Sequence, residues 1–244
     1  MKMIIPNWPA PKHVRAFAST RIGGFSTEAY HGLNLGMHVG DDALLVEKNR
    51  DWLAQQAKMP SAPVWLNQTH STDVVQVSAP TPQVLNADGV FTATNHVVCS
   101  AMTADCLPVL LTNTSGTQVA AVHAGWRGLA NGIIENALEL FSGDVMAWLG
   151  PAIGAEAFEV GEDVLQAFSE YDPEALQAFT PRQEKGKWLA DMSLLASQRL
   201  QKMGVTQVYN SDLCTFQQQN DFYSYRRDGV TGRQATFIWL DMNN

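Results

Sequence analysis

The chain has 244 residues, of which 45% are hydrophobic and 16% are charged, so it is long and apolar enough to bury a sizeable core. Its formal net charge of −8 at pH 7 argues against a general nucleic-acid or membrane-surface binding protein, because neither polyanion would attract it. The N-terminus lacks an apolar core of signal-peptide length and no later stretch is apolar enough to span a membrane, so we expect a cytoplasmic protein.

Short apolar runs bounded by Gly, Pro or Asn predict strands, and apolar residues at helical spacing predict helices. In chain order, the predicted elements are a strand at 16–20, a helix at 44–57, strands at 64–66 and 74–77, a surface loop at 78–86, strands at 96–101, 109–112 and 118–122, a helix at 129–141, a strand at 147–149, helices at 164–168 and 192–203, and strands at 205–209 and 234–240. This mixture predicts an α/β or α+β domain with a mixed sheet.

Cys106 lies in a segment that differs from an ordinary buried strand, because Asp105 precedes it and Pro108 follows closely. Proline removes a ladder donor and indicates an irregular or edge backbone. A neighbouring carboxylate disfavours the thiolate unless a metal or another cation offsets the repulsion. The alternative is a cysteine that only packs, as we expect for Cys99 inside an apolar strand. Three cysteines are too few for a disulfide framework, and the thiols are expected to stay reduced.

His123 ends an apolar strand and enters the small-residue turn Ala124-Gly125-Trp126-Arg127-Gly128. Glycines permit a tight turn and a close backbone approach to a ligand. A helix that starts after Gly128 would aim free N–H groups at this turn, which suits an anion such as phosphate. The alternative is a structural histidine with satisfied hydrogen bonds.

A third donor, His70, lies upstream after Asn67 and Gln68. Two imidazoles and one thiolate suit Zn²⁺ or copper, and three protein ligands leave one position for water or substrate. The donors are separated by 36 and 17 residues, which is not a standard zinc spacing. Local spacing therefore leaves both a shared metal site and separate structural roles open.

Basic and polar residues cluster in two further segments. In the first segment, Arg21 follows Ser19 and Thr20, and Asn34 lies downstream. In the second, near the other end of the chain, Arg227 lies in Phe222-Tyr223-Ser224-Tyr225-Arg226-Arg227-Asp228, which is followed by Thr231-Gly232-Arg233. Arginines near aromatic residues can clamp a phosphate or carboxylate in bidentate fashion. A solvated basic turn beside core aromatics is the alternative, and the pattern does not decide between them.

Taken together, these motifs closely resemble the bacterial YfiH family, also called the laccase-domain, multicopper polyphenol oxidase or peptidoglycan editing factor family. The resemblance extends from about Ile5 to Leu240 and is carried by Ser19-Thr20-Arg21, Asn67-Gln68-Thr69-His70, Thr103-Ala104-Asp105-Cys106-Leu107-Pro108, His123-Ala124-Gly125-Trp126-Arg127-Gly128, Gly150-Pro151-Ala152-Ile153-Gly154, Phe158-Glu159-Val160-Gly161 and Phe222-Tyr223-Ser224-Tyr225-Arg226-Arg227-Asp228.

The resemblance implies one α/β domain over residues 1–244, with layered mixed sheets flanked by helices, similar to the catalytic domain of cytotoxic necrotizing factors. It implies a zinc ion, or copper, bound by His70, Cys106 and His123. It also implies purine nucleoside phosphorolysis, in which adenosine, inosine, guanosine or methylthioadenosine reacts with phosphate, and deamination of adenosine. The editing-factor name implies a different activity, the removal of serine wrongly incorporated into a peptidoglycan precursor.

Within that activity, we assign catalytic roles to Cys106, His123 and Asp105, the last as a proton donor or acceptor beside the metal. Nucleoside and phosphate are the expected partners of a monomeric enzyme, and the substrate-binding residues are taken to be Arg21, Asn34, Gln68, Arg127 and Arg227.

Three alternatives remain. Cys106 could act as the nucleophile of an amidase with His123 as its base. The chain could be a metal-binding regulator without catalysis. A single copper could support weak phenol oxidation, although six histidines are too few for the separate sites of a multicopper oxidase.

Overall fold

The computed structural model describes residues 1–242, which fold into four layers around two β-sheets. The strands are β1 Met3–Ile4, β2 Val14–Ser19, β3 Pro63–Val64, β4 Leu66–Asn67, β5 Val74–Gln76, β6 Leu85–Asn86, β7 Gly89–Thr92, β8 Val98–Thr103, β9 Leu107–Asn113, β10 Val119–Ala124, β11 Val145–Leu149, β12 Glu159–Gly161, β13 Phe179–Pro181, β14 Lys187–Ala190, β15 Gln207–Asn210 and β16 Gln234–Leu240. The α-helices are α1 Ala43–Gln56, α2 Trp126–Asn131, α3 Ile133–Leu138, α4 Glu162–Ser169, α5 Met192–Lys202 and α6 Tyr225–Asp228, and 3-10 helices span Glu28–Tyr30 and Pro173–Ala178.

Both large sheets are mixed. The five-stranded sheet has the order β1-β2-β16-β8-β3, and only its β3–β8 pair is parallel. The six-stranded sheet has the order β15-β11-β9-β10-β7-β5, with parallel pairs at its two edges, β11–β15 and β5–β7. Smaller sheets are formed by β12, β14 and β13 and by β4 and β6.

Three apolar clusters separate the layers. Between the two sheets, side chains such as Cys99 and Ile238 from one sheet meet Leu110 and Trp148 from the other. The outer face of the six-stranded sheet packs against α2 to α5, and Phe17, Phe237 and Leu53 join the five-stranded sheet to α1. The mixed α/β architecture expected from the sequence is therefore confirmed.

Several element boundaries differ from the sequence prediction. The predicted helix at 129–141 starts earlier, at Trp126, and Gly132 divides it into α2 and α3 because its backbone adopts a left-handed conformation with φ of 100°. The predicted strand at 64–66 is split between β3 and β4, which belong to different sheets. The predicted loop at 78–86 ends in the short strand β6. Within residues 1–242, no helix is long and apolar enough to cross a bilayer.

Candidate metal centre

The register between β9 and β10 brings Cys106 to His123. His123 is paired with Pro108 and Ala124 with Leu107, so Cys106, directly before β9, lies beside the end of β10. The turn before β9 is braced by the segment that follows β11, because Ile153 N donates to Asp105 O at 2.9 Å. Cys106 is therefore held at the ends of two buried strands, β9 and β10.

His70 joins this pair from the loop between β4 and β5. The ligand atoms of His70, Cys106 and His123 all lie within 4.8 Å of one another, and Cys106 Sγ is 3.7 Å from His70 Nε2. The two imidazole rings meet edge to face, with centroids 4.9 Å apart. We refer to these three residues as the triad.

Gly125 provides the space in which the triad fits. A Cβ added at this position would lie 2.6 Å from Cδ2 of His70 and 3.2 Å from Sγ of Cys106. Its φ of −62° is open to any residue, so space and not backbone conformation explains the glycine.

One carboxylate, Asp88, holds both histidines of the triad. It accepts a hydrogen bond from Nδ1 of His123 at 2.8 Å, and also from the backbone N–H groups of Thr69, His70 and Ser71 and from the Ser71 hydroxyl. Asp88 is fully buried, and burial opposes its ionisation, but the hydrogen bonds from His123 and Ser71 hold its pKa well below the usual range. Because Nδ1 of His123 is engaged, Nε2 is the nitrogen that faces Cys106 and His70.

The charges of the triad favour a thiolate. Burial raises the pKa of Cys106, but the charge of His123 and hydrogen bonds from His123 and His70 outweigh burial and lower this pKa to about 6. Burial lowers the pKa of His123, but Cys106 and Asp88 outweigh burial and raise it to about 9. The protein alone therefore stabilises a thiolate beside an imidazolium at neutral pH.

This donor set fits a metal ion. A thiolate and two imidazole nitrogens are typical zinc and copper ligands, and a dication would displace the proton of His123. The carboxylate–histidine pair formed by Asp88 and His123 is also a common feature of zinc sites, where it fixes the tautomer of the ligand.

The triad opens into a pocket of about 350 Å³. Its wall is lined by His38, Gln68, His70, Met102, Thr103, Ala104, Cys106, His123, Tyr225 and Arg233. Within the described part of the chain, the buried hydroxyl of Thr103 has no hydrogen-bond partner. Thr103 therefore carries a buried, unpaired hydroxyl next to the pocket.

Asp105 is adjacent to Cys106 in sequence, but its carboxylate does not line the pocket. It accepts hydrogen bonds from the Thr215 hydroxyl at 2.7 Å, the Ser224 hydroxyl at 3.0 Å and the backbone N–H of Arg226 at 2.7 Å. These contacts tie two distant loops to the Cys106 turn. The expected role of Asp105 in proton transfer stays a prediction, while its observed contacts hold the Cys106 turn in place.

Of the five residues expected to bind substrate, only Gln68 lines the pocket of the triad. Its amide is paired with the backbone of Met102, donating to the carbonyl at 2.7 Å and accepting from the N–H at 2.8 Å. Asn34 is fully buried, and its amide oxygen accepts from the backbone N–H groups of Gly36 and Arg233. Asn34 therefore supports a residue of the pocket and does not line it.

The three expected arginines lie elsewhere. Arg21 and Arg227 line a separate surface cleft, and the guanidinium of Arg227 is occupied by the carbonyl groups of Thr215, Phe216 and Phe222 and by Asp228. Arg127 is exposed and stacks on Trp126, its guanidinium carbon 4.3 Å from the ring centroid. The helix expected to bind an anion through its N-terminus, α2, has only six residues.

Asp88, Arg233 and Tyr225 were not among the predicted site residues. Arg233 and Tyr225 lie within motifs that were noted, but nothing local distinguishes them from the neighbouring arginines and tyrosine. For Asp88, the only local signal is an acidic residue before Gly89 at the start of a strand.

Comparisons with known proteins show the family of the chain. Residues 15–241 match the family described as multi-copper polyphenol oxidoreductase laccase. The chain is 50% identical over 242 residues to the Shigella flexneri protein named purine nucleoside phosphorylase YfiH, which covers 98% of this chain and 99% of that protein. A Haemophilus influenzae protein named purine nucleoside phosphorylase is 48% identical over 245 residues, covering 99% of this chain and all of that protein (100%).

The fold is likewise shared with solved structures. The crystal structure of the Neisseria meningitidis protein NMB0706 superposes with a TM-score of 0.94 at 47% sequence identity, covering 99% of this chain and 100% of that chain. The chain is therefore an enzyme of the laccase-domain family, to which the proteins named YfiH belong.

Proposed function

We propose that the chain is a zinc-dependent purine nucleoside phosphorylase that converts adenosine, inosine, guanosine or methylthioadenosine and phosphate into the free base and ribose 1-phosphate, or methylthioribose 1-phosphate. The names of relatives at 48 to 50% identity support the reaction class. Adenosine deamination is proposed as a side activity of the same pocket. We expect the enzyme to be a monomer in the cytoplasm.

The observation that carries this proposal is the position of the triad in the wall of a pocket of about 350 Å³. Pockets of roughly 300–1,000 Å³ bind small molecules in proteins. The wall also includes the aromatic ring of Tyr225, and such a ring suits a flat purine base.

Phosphorolysis forms a bond between a phosphate oxygen and C1′ of the ribose and breaks the bond from C1′ to the purine nitrogen. The bonding electron pair leaves with the purine, which takes up a proton, and the proton lost by hydrogen phosphate balances it. A bound zinc would supply a Lewis acid at the pocket wall. The protein must hold the phosphate and the nucleoside in line and exclude competing water.

The direct test is to incubate metal-replete protein with inosine in the presence and absence of phosphate. We expect hypoxanthine and ribose 1-phosphate in equal amounts, and only when phosphate is present. Release of hypoxanthine without phosphate would indicate a hydrolase instead. A protein that binds zinc but turns over no nucleoside would favour a regulatory, non-catalytic role.

The metal is proposed to be zinc because the donor set includes one thiolate and two imidazoles, and such sites with an open position are common in zinc enzymes. Copper is compatible with the same donors. Two measurements distinguish zinc from copper. The first is the metal content of protein purified without added metal, and the second is the phosphorolysis rate after reconstitution with each ion. Copper-dependent oxidation of a phenol that exceeds phosphorolysis would favour the oxidase alternative.

One observation favours a second candidate, an amidase in which Cys106 is the nucleophile. Asp88, His123 and Cys106 form a chain of contacts like that of a thiol hydrolase, with the pKa of Cys106 lowered to about 6. Such an enzyme could edit a serine-containing peptidoglycan precursor. Full activity on a peptide substrate after metal removal, with an acyl group trapped on Cys106, would support this candidate over the phosphorylase.

A further inference from the structure

Two basic side chains, Arg233 and His38, line the pocket beside the triad. Arg233 lies in the turn before β16, and His38 lies in the glycine-rich segment between the first 3-10 helix and α1. These basic groups belong to the pocket of the triad, in contrast to Arg21, Arg127 and Arg227.

The guanidinium of Arg233 keeps one edge free. Its Nη1 donates to the backbone carbonyls of Thr231 at 3.1 Å and Gly232 at 2.9 Å. Among residues 1–242, no oxygen accepts a hydrogen bond from its Nε or Nη2. The Nε–Nη2 edge is a fork of two parallel N–H donors, which matches two oxygens of a phosphate group.

The surrounding residues are arranged to hold Arg233 in place. Its backbone N–H donates to Asn34 Oδ1 at 2.8 Å, and its carbonyl accepts from Leu35 N at 3.0 Å. A Cβ on Gly36 would lie 2.8 Å from Cγ of Arg233, so this glycine leaves room for the arginine side chain. The segment 34–36 therefore holds the backbone of Arg233 and the base of its side chain, and the carbonyls of Thr231 and Gly232 hold Nη1.

The charge of Arg233 is not neutralised by an ion pair. The salt bridges found in the described part of the chain do not include it. The Cys106 thiolate and then Asp105 attract the guanidinium electrostatically, but neither hydrogen-bonds to it, and both carboxylate oxygens of Asp105 are taken by other donors. The His38 ring makes no hydrogen bond within residues 1–242, and burial together with the charge of Arg233 lowers its pKa, so the ring offers a neutral N–H donor. A half-buried cation with a free donor edge favours an anionic ligand.

We infer that the Nε–Nη2 edge of Arg233, with the His38 ring beside it, is the subsite for the phosphate co-substrate. This inference rests on the proposed phosphorylase function. In this arrangement phosphate sits between Arg233 and the triad, and Asn34 acts as a positioning residue that holds the arginine.

Arg233→Gln tests the subsite, with Arg182→Gln as the matched control because Arg182 is an exposed arginine paired with Glu159. We expect the KM for phosphate in inosine phosphorolysis to rise roughly tenfold or more for Arg233→Gln, since two charge-assisted hydrogen bonds are lost. The KM for inosine and the zinc content should stay close to the wild-type values. His38→Gln should raise the KM for phosphate by a smaller factor, and Arg182→Gln should leave it unchanged.

A second measurement separates this inference from the proposed reaction. Binding of inorganic phosphate alone, measured by calorimetry on zinc-loaded protein, should be lost in Arg233→Gln and retained in Arg182→Gln. If the wild type binds phosphate through Arg233 but does not cleave nucleosides, the proposed reaction fails and the subsite stands. An Arg233→Gln protein with wild-type melting temperature and unchanged phosphate affinity, or wild-type protein that binds no phosphate, would overturn the subsite.

Discussion

Oδ1 of Asp88 accepts a hydrogen bond from Nδ1 of His123 at 2.8 Å, and the same oxygen accepts from the backbone N–H of His70 at 2.9 Å. One buried carboxylate thus sets the ring orientation of one histidine and the backbone of the other. His70 needs this support because its φ of 62° is a left-handed conformation that is uncommon outside glycine.

The first prediction follows from this shared carboxylate. Asp88→Asn removes the negative charge and replaces one acceptor oxygen by an NH₂ group. That group cannot accept the hydrogen bonds that several N–H groups donate to Asp88. We expect zinc affinity to fall about 10- to 100-fold, as is typical when the partner of a ligating histidine is changed. Competition with a chromophoric chelator measures the affinity. Asp73→Asn is the control, because Asp73 is exposed in the loop that carries His70 and its carboxylate makes no hydrogen bond within residues 1–242. Equal zinc affinity in both variants would contradict the role of Asp88.

The second prediction concerns the thiolate ligand. Cys106→Ser should lose stoichiometric metal, because a neutral hydroxyl is a much poorer ligand than a thiolate. Cys214→Ser provides a matched control, since Cys214 accepts from Gly154 N outside the triad and serine can make the same contact. Elemental analysis of the two purified variants gives the result. Full metal content in Cys106→Ser would show that the ion is held elsewhere.

The third prediction is a pH dependence in metal-free protein. Burial raises the pKa of Cys106, and the charge and hydrogen bonds of the two histidines outweigh it, which sets the pKa at about 6. Because this pKa is lowered, the thiolate predominates above pH 6 and is lost as the pH falls through that value. Alkylation by iodoacetamide should therefore approach its plateau by neutral pH.

Two further measurements check this assignment by mass spectrometry of the modified peptides. His123→Ala should move the midpoint for Cys106 toward the ordinary cysteine value of about 8.5. Cys99 should stay unmodified at neutral pH, because it is fully buried and burial raises its pKa. A midpoint near 8.5 for Cys106 in the wild-type protein would refute the thiolate–imidazolium pair.

The fourth prediction uses the space beside the triad. Gly125→Ala would place a methyl group 2.6 Å from the His70 ring, which must then move away from Cys106. We expect weaker zinc binding with little change in the melting temperature, since the His70 side chain is exposed and its ring can rotate away. Gly143→Ala should lower the melting temperature and leave zinc binding unchanged. Its added Cβ meets no atom within 4 Å, but its φ of 75° disfavours alanine. Chelator competition and thermal unfolding distinguish the two effects, and tight zinc binding by Gly125→Ala would contradict the assigned position of His70.

Much of the fold was predictable from local patterns. Strand β16 coincides with the predicted strand at 234–240, and α5 lies within the predicted helix that ends before Gly204. The small sheet of β12, β13 and β14 was missed because its strands are short and partly exposed, so apolar alternation is weak. The break at Gly132 was missed because apolar residues continue at helical spacing across it.

The residue types of the site were predictable from the sequence, but the directions in which several of its side chains point were not. The residue types identified His70, Cys106 and His123 as donors, and the structure brings their ligand atoms together, while metal binding itself stays a prediction. The orientations of Asp105 and Asn34 could not be derived from local sequence, because their hydrogen-bond partners lie up to 199 residues away. Asp88 was missed for the same reason, since its role depends on a strand register that pairs it with a distant histidine.

The position of β16 has a consequence for biosynthesis. This strand, made after all the other strands described, lies between β2 and β8 in the middle of its sheet, and Arg233 directly precedes it. A growing polypeptide therefore cannot close that sheet until residue 240 has emerged from the ribosome. Prematurely terminated chains would lack a central strand together with a wall of the pocket, so translation errors that shorten the product would give inactive and unstable protein instead of a partly working enzyme.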